Sequence, residues 1–268
     1  MPGNPVILEK NGAVATITLN SPKKMNALST SVVNVLAGVI ADVERDGSIR
    51  ALLLRGEGRM FSCGGDIEEM VAAGDALSTL VDDELRVAES MIPQFASLPF
   101  PVVCAVQGAV AGGGLGLALV SDYLIAASGT KFVAAHTGLG YAGDFGISWL
   151  LPRAVGGRRA RDMILTNRVV SSDEALAWGL VEKVVPGESL LGEARRMAVQ
   201  FSVGPTQGYA GAKRLQLAAF ESDLATSLRL EAAEMNRASK TTDSLEAVRA
   251  FVAKPVSYTH LRAHETDS

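Results

Sequence analysis

The sequence predicts an α/β fold, and three observations carry the prediction. The chain opens on two apolar runs around Asn11-Gly12, its middle repeats a unit of strand, glycine-bearing loop and helix, and helical patterns predominate after Val155. VILEK and AVATITL flank the Asn-Gly pair, whose residues readily take the positive backbone angles of a tight hairpin turn. Residues 30–46 set Val32, Leu36, Val39, Ile40 and Val43 on one helical face, with Gly47 as a stop signal. IRALLLRG reads as a buried strand, EGRMFSCGGD as a loop, and residues 67–73 as a short helix. Between residues 75 and 98 a second helix carries Leu77, Val81, Leu85 and Ile92; Glu89 falls on that row, and Pro93 is expected to bend or end the helix. PVVCAVQG and DYLIAAS are strands bracketing a glycine-led helix, and KFVAA is a further strand. The helices expected beyond Val155 cover 157–167, 171–178, 189–201, 205–220, 223–239 and 243–253. The last three have broad apolar faces and few strands to cover, which suits packing between subunits.

Composition excludes several classes of function. A chain of 268 residues with 48% hydrophobic and 20% charged residues can bury a substantial core. A formal net charge of -4, without a Lys/Arg block at either end, gives no nucleic-acid footprint and leaves small molecules as the expected partner. Cys63 and Cys104 are the only cysteines and form no C-x-x-C, and MPGNPVILEKNG lacks a signal-peptide pattern, so a cytoplasmic location is expected. Residues 100–121 hold no ionisable carboxylate or amine, but Pro101, Gln107 and the glycines split the stretch into a buried strand and a buried helix, not a membrane span. The segment PVSYTHLRAHETDS changes character and reads as a disordered or foreign tail; His260 and His264 at i, i+4 spacing are weak grounds for a metal site.

Two loops share one design: MFSCGGDIEEM and QGAVAGGGLGLAL each run from an apolar strand through glycines into a helix start. Glycines let backbone N–H groups approach a ligand closely, and a helix N-terminus favours a nearby anion, so two such N–H groups can form an oxyanion hole. Close packing of helix on strand would explain each loop as well. Neither loop matches a phosphate-binding fingerprint. GYAGDFGISW raises a second question, because Asp144 is its only charge. That carboxylate can cap a helix N-terminus or transfer a proton, and the two roles do not exclude each other.

In the order and spacing of SPKKMNALS, FSCGGDI, QGAVAGGGLGLALVSDYLIAA, LPRAVG, ILTNR and SSDEALAWGLVEKVV, the chain resembles the crotonase, or enoyl-CoA hydratase/isomerase, family. The likeness runs from about Val6 to Pro255. It implies a crotonase-like spiral of ββα units binding an acyl-CoA thioester over residues 1–200, a helical oligomerisation region over 201–255, and a non-native or disordered tail over 256–268. It further implies a homotrimer or dimer of trimers, with no cofactor beyond the coenzyme A of the substrate. By the same resemblance the thioester oxygen sits between the N–H groups of Gly65 and Gly113, and Lys24, Met25, Ala27, Asp66 and Ile67 contact CoA. The two glutamates used by hydratases fall on Gly116 and His136, which puts ordinary hydration in doubt. Asp144 falls where dienoyl-CoA and epoxyphenylacetyl-CoA isomerases carry an aspartate, which implies an acyl-CoA isomerase with Asp144 as acid/base. A 4-chlorobenzoyl-CoA dehalogenase is also similar around HTGLGYAGD and ILTNR, but His136 replaces its tryptophan and Glu89 its helper histidine; loss of both hydratase glutamates leaves a non-catalytic acyl-CoA-binding protein as a further alternative. His136 is an acid/base candidate or a satisfied pocket histidine; Glu89 is an acid/base candidate or lies at the edge of its apolar row; Cys63 reads as a small packing residue.

Overall fold

The computed structural model describes residues 4–253, and the expected tail over 256–268 lies outside them. Strands β1 (Val6–Asn11) and β2 (Val14–Leu19) form the expected antiparallel hairpin, turned at Gly12 with φ of 60°. From β2 the main sheet continues in parallel through β3 (Ala51–Gly56), β4 (Val102–Val106), β6 (Tyr123–Ala127) and β9 (Lys183–Val185), in the order β1-β2-β3-β4-β6-β9. A smaller sheet holds β5 (Ala109–Ala111), β7 (Lys131–Val133) and β8 (Val170–Ser171), with β7 in the middle.

The central strands read as unbroken apolar runs because both faces are covered. Alternate residues point to opposite sides: Leu52, Leu54, Cys104 and Val106 join the larger core, while Ala51, Leu53, Val103 and Ala105 join the other. Helices α1 (Thr30–Arg45) and α3 (Leu77–Ala96) contribute to the first layer. Helix α8 (Leu190–Ser202) covers the second through Leu190, Ala194 and Ala198. α1 begins at Ser29, whose hydroxyl caps it by accepting from Val32 N, and buries Val32, Val33, Leu36, Ile40 and Val43, close to the expected face. The short helix α2 (Ile67–Ala73) has the expected bounds. α4 (Gly113–Leu119) is the glycine-led helix between β4 and β6, and α5 (Ile147–Val155), α6 (Gly157–Thr166) and α7 (Ser172–Trp178) come after it.

Three details go beyond the sequence reading. Pro93 does not end α3, which runs on to Ala96, and the helix opens at Leu77 after a 3-10 turn over Gly74–Ala76. The region beyond Val155 is mostly helical, as expected, and also holds two short strands, β8 and β9, too brief for an alternating pattern to register. β5 is likewise a strand hidden inside a glycine-rich run.

The chain divides into two compact units after Lys213, inside α9 (Thr206–Ala219), further along than the expected boundary at 200/201. The first turns of α9 stay with the first unit because Arg50 Nε donates to Thr206 Oγ1 (2.8 Å) and Lys213 Nζ donates to Asp122 Oδ2 (2.6 Å) and Phe100 O (3.1 Å). The second unit holds the end of α9, α10 (Leu224–Ala238) and α11 (Thr242–Ala253). Within it Arg214 forks onto both oxygens of Glu234 at 2.9 and 2.8 Å, and the Asp223 side chain caps α10.

Candidate active site

The two glycine loops meet. Leu28 pairs with Gly65 and Ser62 with Val110 in isolated parallel bridges, so residues 25–28, 62–65 and 109–112 run side by side. Ala111 N donates to Ser62 O, and Gly112 N donates to Val133 O on β7. The approach requires glycine at two points. Gly112 takes φ 52° and ψ -130°, and a Cβ on Gly64 (φ 91°) would lie 2.9 Å from Ala111 O. Gly65 precedes Asp66, the N-cap of α2, and Gly113 is the first residue of α4. Among the described residues neither N–H is paired with an acceptor. Helix geometry accounts for Gly113, because first-turn N–H groups have no intrahelical partner.

Asp144 joins the same corner. Its Oδ1 lies 2.7 Å from His136 Nε2 and would lie 3.2 Å from a Cβ on Gly113. A carboxylate only accepts, so Nε2 donates when Asp144 is ionised. His136 is buried and its Nδ1 has no partner among the described residues, whereas the Asp144 side chain retains 27% exposure. His136 opens a 3-10 turn, His136–Leu139, behind Ala135 at φ 64°. The N-cap alternative for Asp144 does not hold: α5 is capped by Gly146, and only the backbone carbonyl of Asp144 accepts from Ile147 N.

Phe145 explains why Gly116 carries no carboxylate. A Cβ at Gly116 would stand 2.4 Å from Phe145 O and 2.7 Å from Phe145 Cβ. The backbone of the Asp144 loop therefore fills the space a side chain at position 116 would need. Phe145 itself is held at φ 46°, a strained angle for an aromatic residue, with its ring against Gly113.

The two glutamates of α3 separate. Glu89 is exposed and lies at the edge of the apolar row, where it lines an open groove with Leu85, Ala88, Ile92, Asp144 and Phe145. The buried acid is Glu84, only 6% exposed, which the apolar row of the sequence does not single out. Its carboxyl is pushed up to about 7, first by burial and then by the negative charges of Asp144, Glu69 and Asp66. A signal is present in the sequence all the same: counting back from Phe95 through Ile92 and Ala88 by helical spacing lands on Glu84, the same face that α3 buries.

The residues expected to meet CoA form the mouth. Lys24 ends a 3-10 turn over Pro22–Lys24, and its Nζ donates to Asp66 Oδ2 at 2.9 Å and lies 3.7 Å from Glu68. Met25 and Asn26 are both left-handed (φ 55° and 52°), and Asn26 locks this turn by accepting from Ser21 N and donating to Glu57 O and Met60 O. Met25 and Ile67 are exposed, whereas Ala27 and Asp66 are buried. Burial works against the charge of Asp66, but the bonds from Lys24 and Glu69 N outweigh it and hold the carboxyl below its ordinary value. Burial pushes the half-buried Cys63 thiol up, which leaves it protonated and agrees with a packing role.

Among the described residues no group of three or more His, Cys, Asp or Glu side chains is arranged to hold a metal ion, and His260 and His264 lie outside them. No described helix is long and apolar enough to cross a membrane.

Residues 9–258 match the family described as Enoyl-CoA hydratase/isomerase. The chain is 38% identical to 1,2-epoxyphenylacetyl-CoA isomerase of Escherichia coli K12, over 90% of this chain and 92% of that protein. It is 34% identical to 4-chlorobenzoyl coenzyme A dehalogenase-2 of an Arthrobacter species, over 75% and 73%. The crystal structure of an enoyl-CoA hydratase from Polaromonas sp. JS666 superposes with a TM-score of 0.88 at 28% identity, covering 93% of this chain and 97% of that one. Sequence, fold and the joined glycine loops agree: the chain belongs to the enoyl-CoA hydratase/isomerase family.

Proposed function

We propose that this family member is an acyl-CoA isomerase in which Asp144 moves a proton at carbon. The observation that carries the reading is the corner itself. Asp144 is held by His136 against the Gly113 helix start, while Phe145 closes position 116 to a water-activating carboxylate. The thioester oxygen would accept from Gly65 N–H and Gly113 N–H, each worth roughly 3–4 kcal/mol to a developing enolate. His136 fixes one oxygen of Asp144 and acts as its positioning residue, leaving the partly exposed carboxylate to face the groove. Lys24, Met25, Ala27, Asp66 and Ile67 would line the CoA channel. The proton transfer balances without a metal or redox cofactor, so coenzyme A enters only as part of the substrate.

The exposed apolar residues Leu224, Leu228, Met235, Leu245, Val248 and Phe251 of the second unit support assembly as a homotrimer or dimer of trimers. Sedimentation of the purified protein tests that part, and a monomer would overturn it. Cytoplasmic residence belongs to the same proposal, in keeping with two unpaired cysteines. The chemistry is tested by assaying 3-enoyl-CoA, epoxyphenylacetyl-CoA and crotonyl-CoA with the wild type and Asp144→Asn. Isomerisation lost in the variant is expected. Rapid hydration of crotonyl-CoA, or full isomerase activity in the variant, would overturn the reading.

A further inference from the structure

Glu84 is a carboxylic acid that the proposed function leaves unused. Among the described residues it has no hydrogen-bond or salt-bridge partner, although only 6% of it is exposed. It lies on the core face of α3, four residues before Ala88 and eight before Ile92, and those two line the groove with Asp144. The charges acting on it come from Asp144 on the loop before α5 and from Asp66 and Glu69 at the start of α2, and all are negative. Lys24 is spent on Asp66, the Glu69 carboxylate accepts from Thr30 N, and the buried residues of α1, the other helix against α3, are all apolar. A buried acid set among like charges, with no cation, costs stability. No cation or hydrogen-bond donor among the described residues offsets that cost, which singles the group out for a role beside the groove that Ala88 and Ile92 line.

We propose that Glu84 is the second proton-transfer residue of this site, giving a proton to the acyl chain at a carbon remote from the one that Asp144 deprotonates. The proposal rests on the isomerase reading. For a 3-enoyl thioester, the C2–H bond breaks and its proton goes to the Asp144 carboxylate. The electron pair passes to the thioester oxygen between Gly65 and Gly113. As that oxygen gives the pair back, the double bond forms between C2 and C3, and C4 takes the proton of the Glu84 carboxyl. No atom is gained or lost by the substrate. Asp144 ends protonated and Glu84 ionised, and exchange with solvent resets both. A carboxyl raised to about 7 is suited to the donor's part, because a useful fraction stays protonated at neutral pH.

Glu84→Gln keeps the side chain's size and removes its proton. In deuterated buffer with 3-enoyl-CoA, the variant is expected to exchange the C2 hydrogens within about threefold of the wild-type rate, while isomerisation falls by about 100-fold or more. The wild-type kcat should fall as pH rises through about 7, and the residual rate of the variant should lack that limb. Isomerisation by Glu84→Gln within about threefold of wild type would overturn the proposal alone. Loss of neither exchange nor isomerisation in Asp144→Asn would instead overturn the isomerase reading, and this proposal with it. Should the Gln variant fail to fold, the wild-type profile decides: a kcat flat from about pH 6 to about pH 9 overturns the donor role.

Discussion

Helices α2 and α4 start from similar sequence, each a strand end and then glycines, yet α4 buries every residue from Gly113 to Ala118 while α2 buries none. The difference lies in the residues after the glycines. GGLGLAL offers no polar side chain, so α4 sinks into the core and the Asp144 loop packs directly on it. IEEMVAA carries Glu68 and Glu69 in its first turn under the Asp66 cap, so α2 stays at the surface and ties Lys24 to the rim. The same device therefore builds a fixed inner wall on one side of the site and a charged, accommodating mouth on the other.

That contrast can be tested from the wall outward. Asp144→Asn should lower kcat by about 10³-fold, since a positioned acid/base contributes on that order, and should leave the melting temperature nearly unchanged. Gly116→Glu, which formally restores a hydratase carboxylate, should cost about 3 kcal/mol in denaturant unfolding and yield no hydration of crotonyl-CoA, because Phe145 must first be displaced. At the mouth, Asp66→Ala should cost only about 1 kcal/mol, the usual loss of an N-cap. Lys24→Ala should raise KM by less than about tenfold at constant kcat, as expected for an exposed ion-pair lysine.

Acid titration separates the same two regions by sign. Asp66 is held below its ordinary value, so its contribution to stability is present above about pH 4 and is lost as pH falls through its folded value. Glu84 is raised to about 7, so the folded state is favoured while it is protonated and loses that advantage as pH climbs from its unfolded value near 4.5 through 7. Unfolding midpoints from about pH 3 to about pH 9 should therefore show an acid-side loss reduced in Asp66→Ala and a neutral-side loss reduced in Glu84→Gln. Unchanged slopes in both variants would contradict these assignments.

Much of the frame is legible in the sequence. The Asn11-Gly12 hairpin, the apolar strands and the bounds of α2 come from local patterns, which read well wherever an element is long or sharply punctuated. β5, β8 and β9 are not legible, because two or three residues cannot display a period and their strand character comes from partners far along the chain. At the site, the glycine loops and the lone charge of Asp144 are visible in the sequence, but it is the resemblance to the family that singles out Gly65, Gly113, His136 and Asp144. That His136 Nε2 faces Asp144, and that Phe145 fills the space beside Gly116, are facts of loop geometry. Glu84 escapes the pattern because the apolar row of α3 through Leu77, Val81 and Leu85 lies about one helical position away from the face that is buried.

The closed space around Gly113 and Gly116 also constrains how such a protein can be changed. A side chain cannot be added to that wall without dislodging the loop that carries Asp144, so one half of the pocket is closed to substitution. Variation is cheaper on the groove side of α3 and at Leu139 and Tyr141, which are exposed in the preceding turn and loop. Directed evolution of this scaffold toward new acyl groups should therefore draw its gains from residues 85–93 and 137–143, and a library confined to the α4 glycines should return mostly unfolded protein.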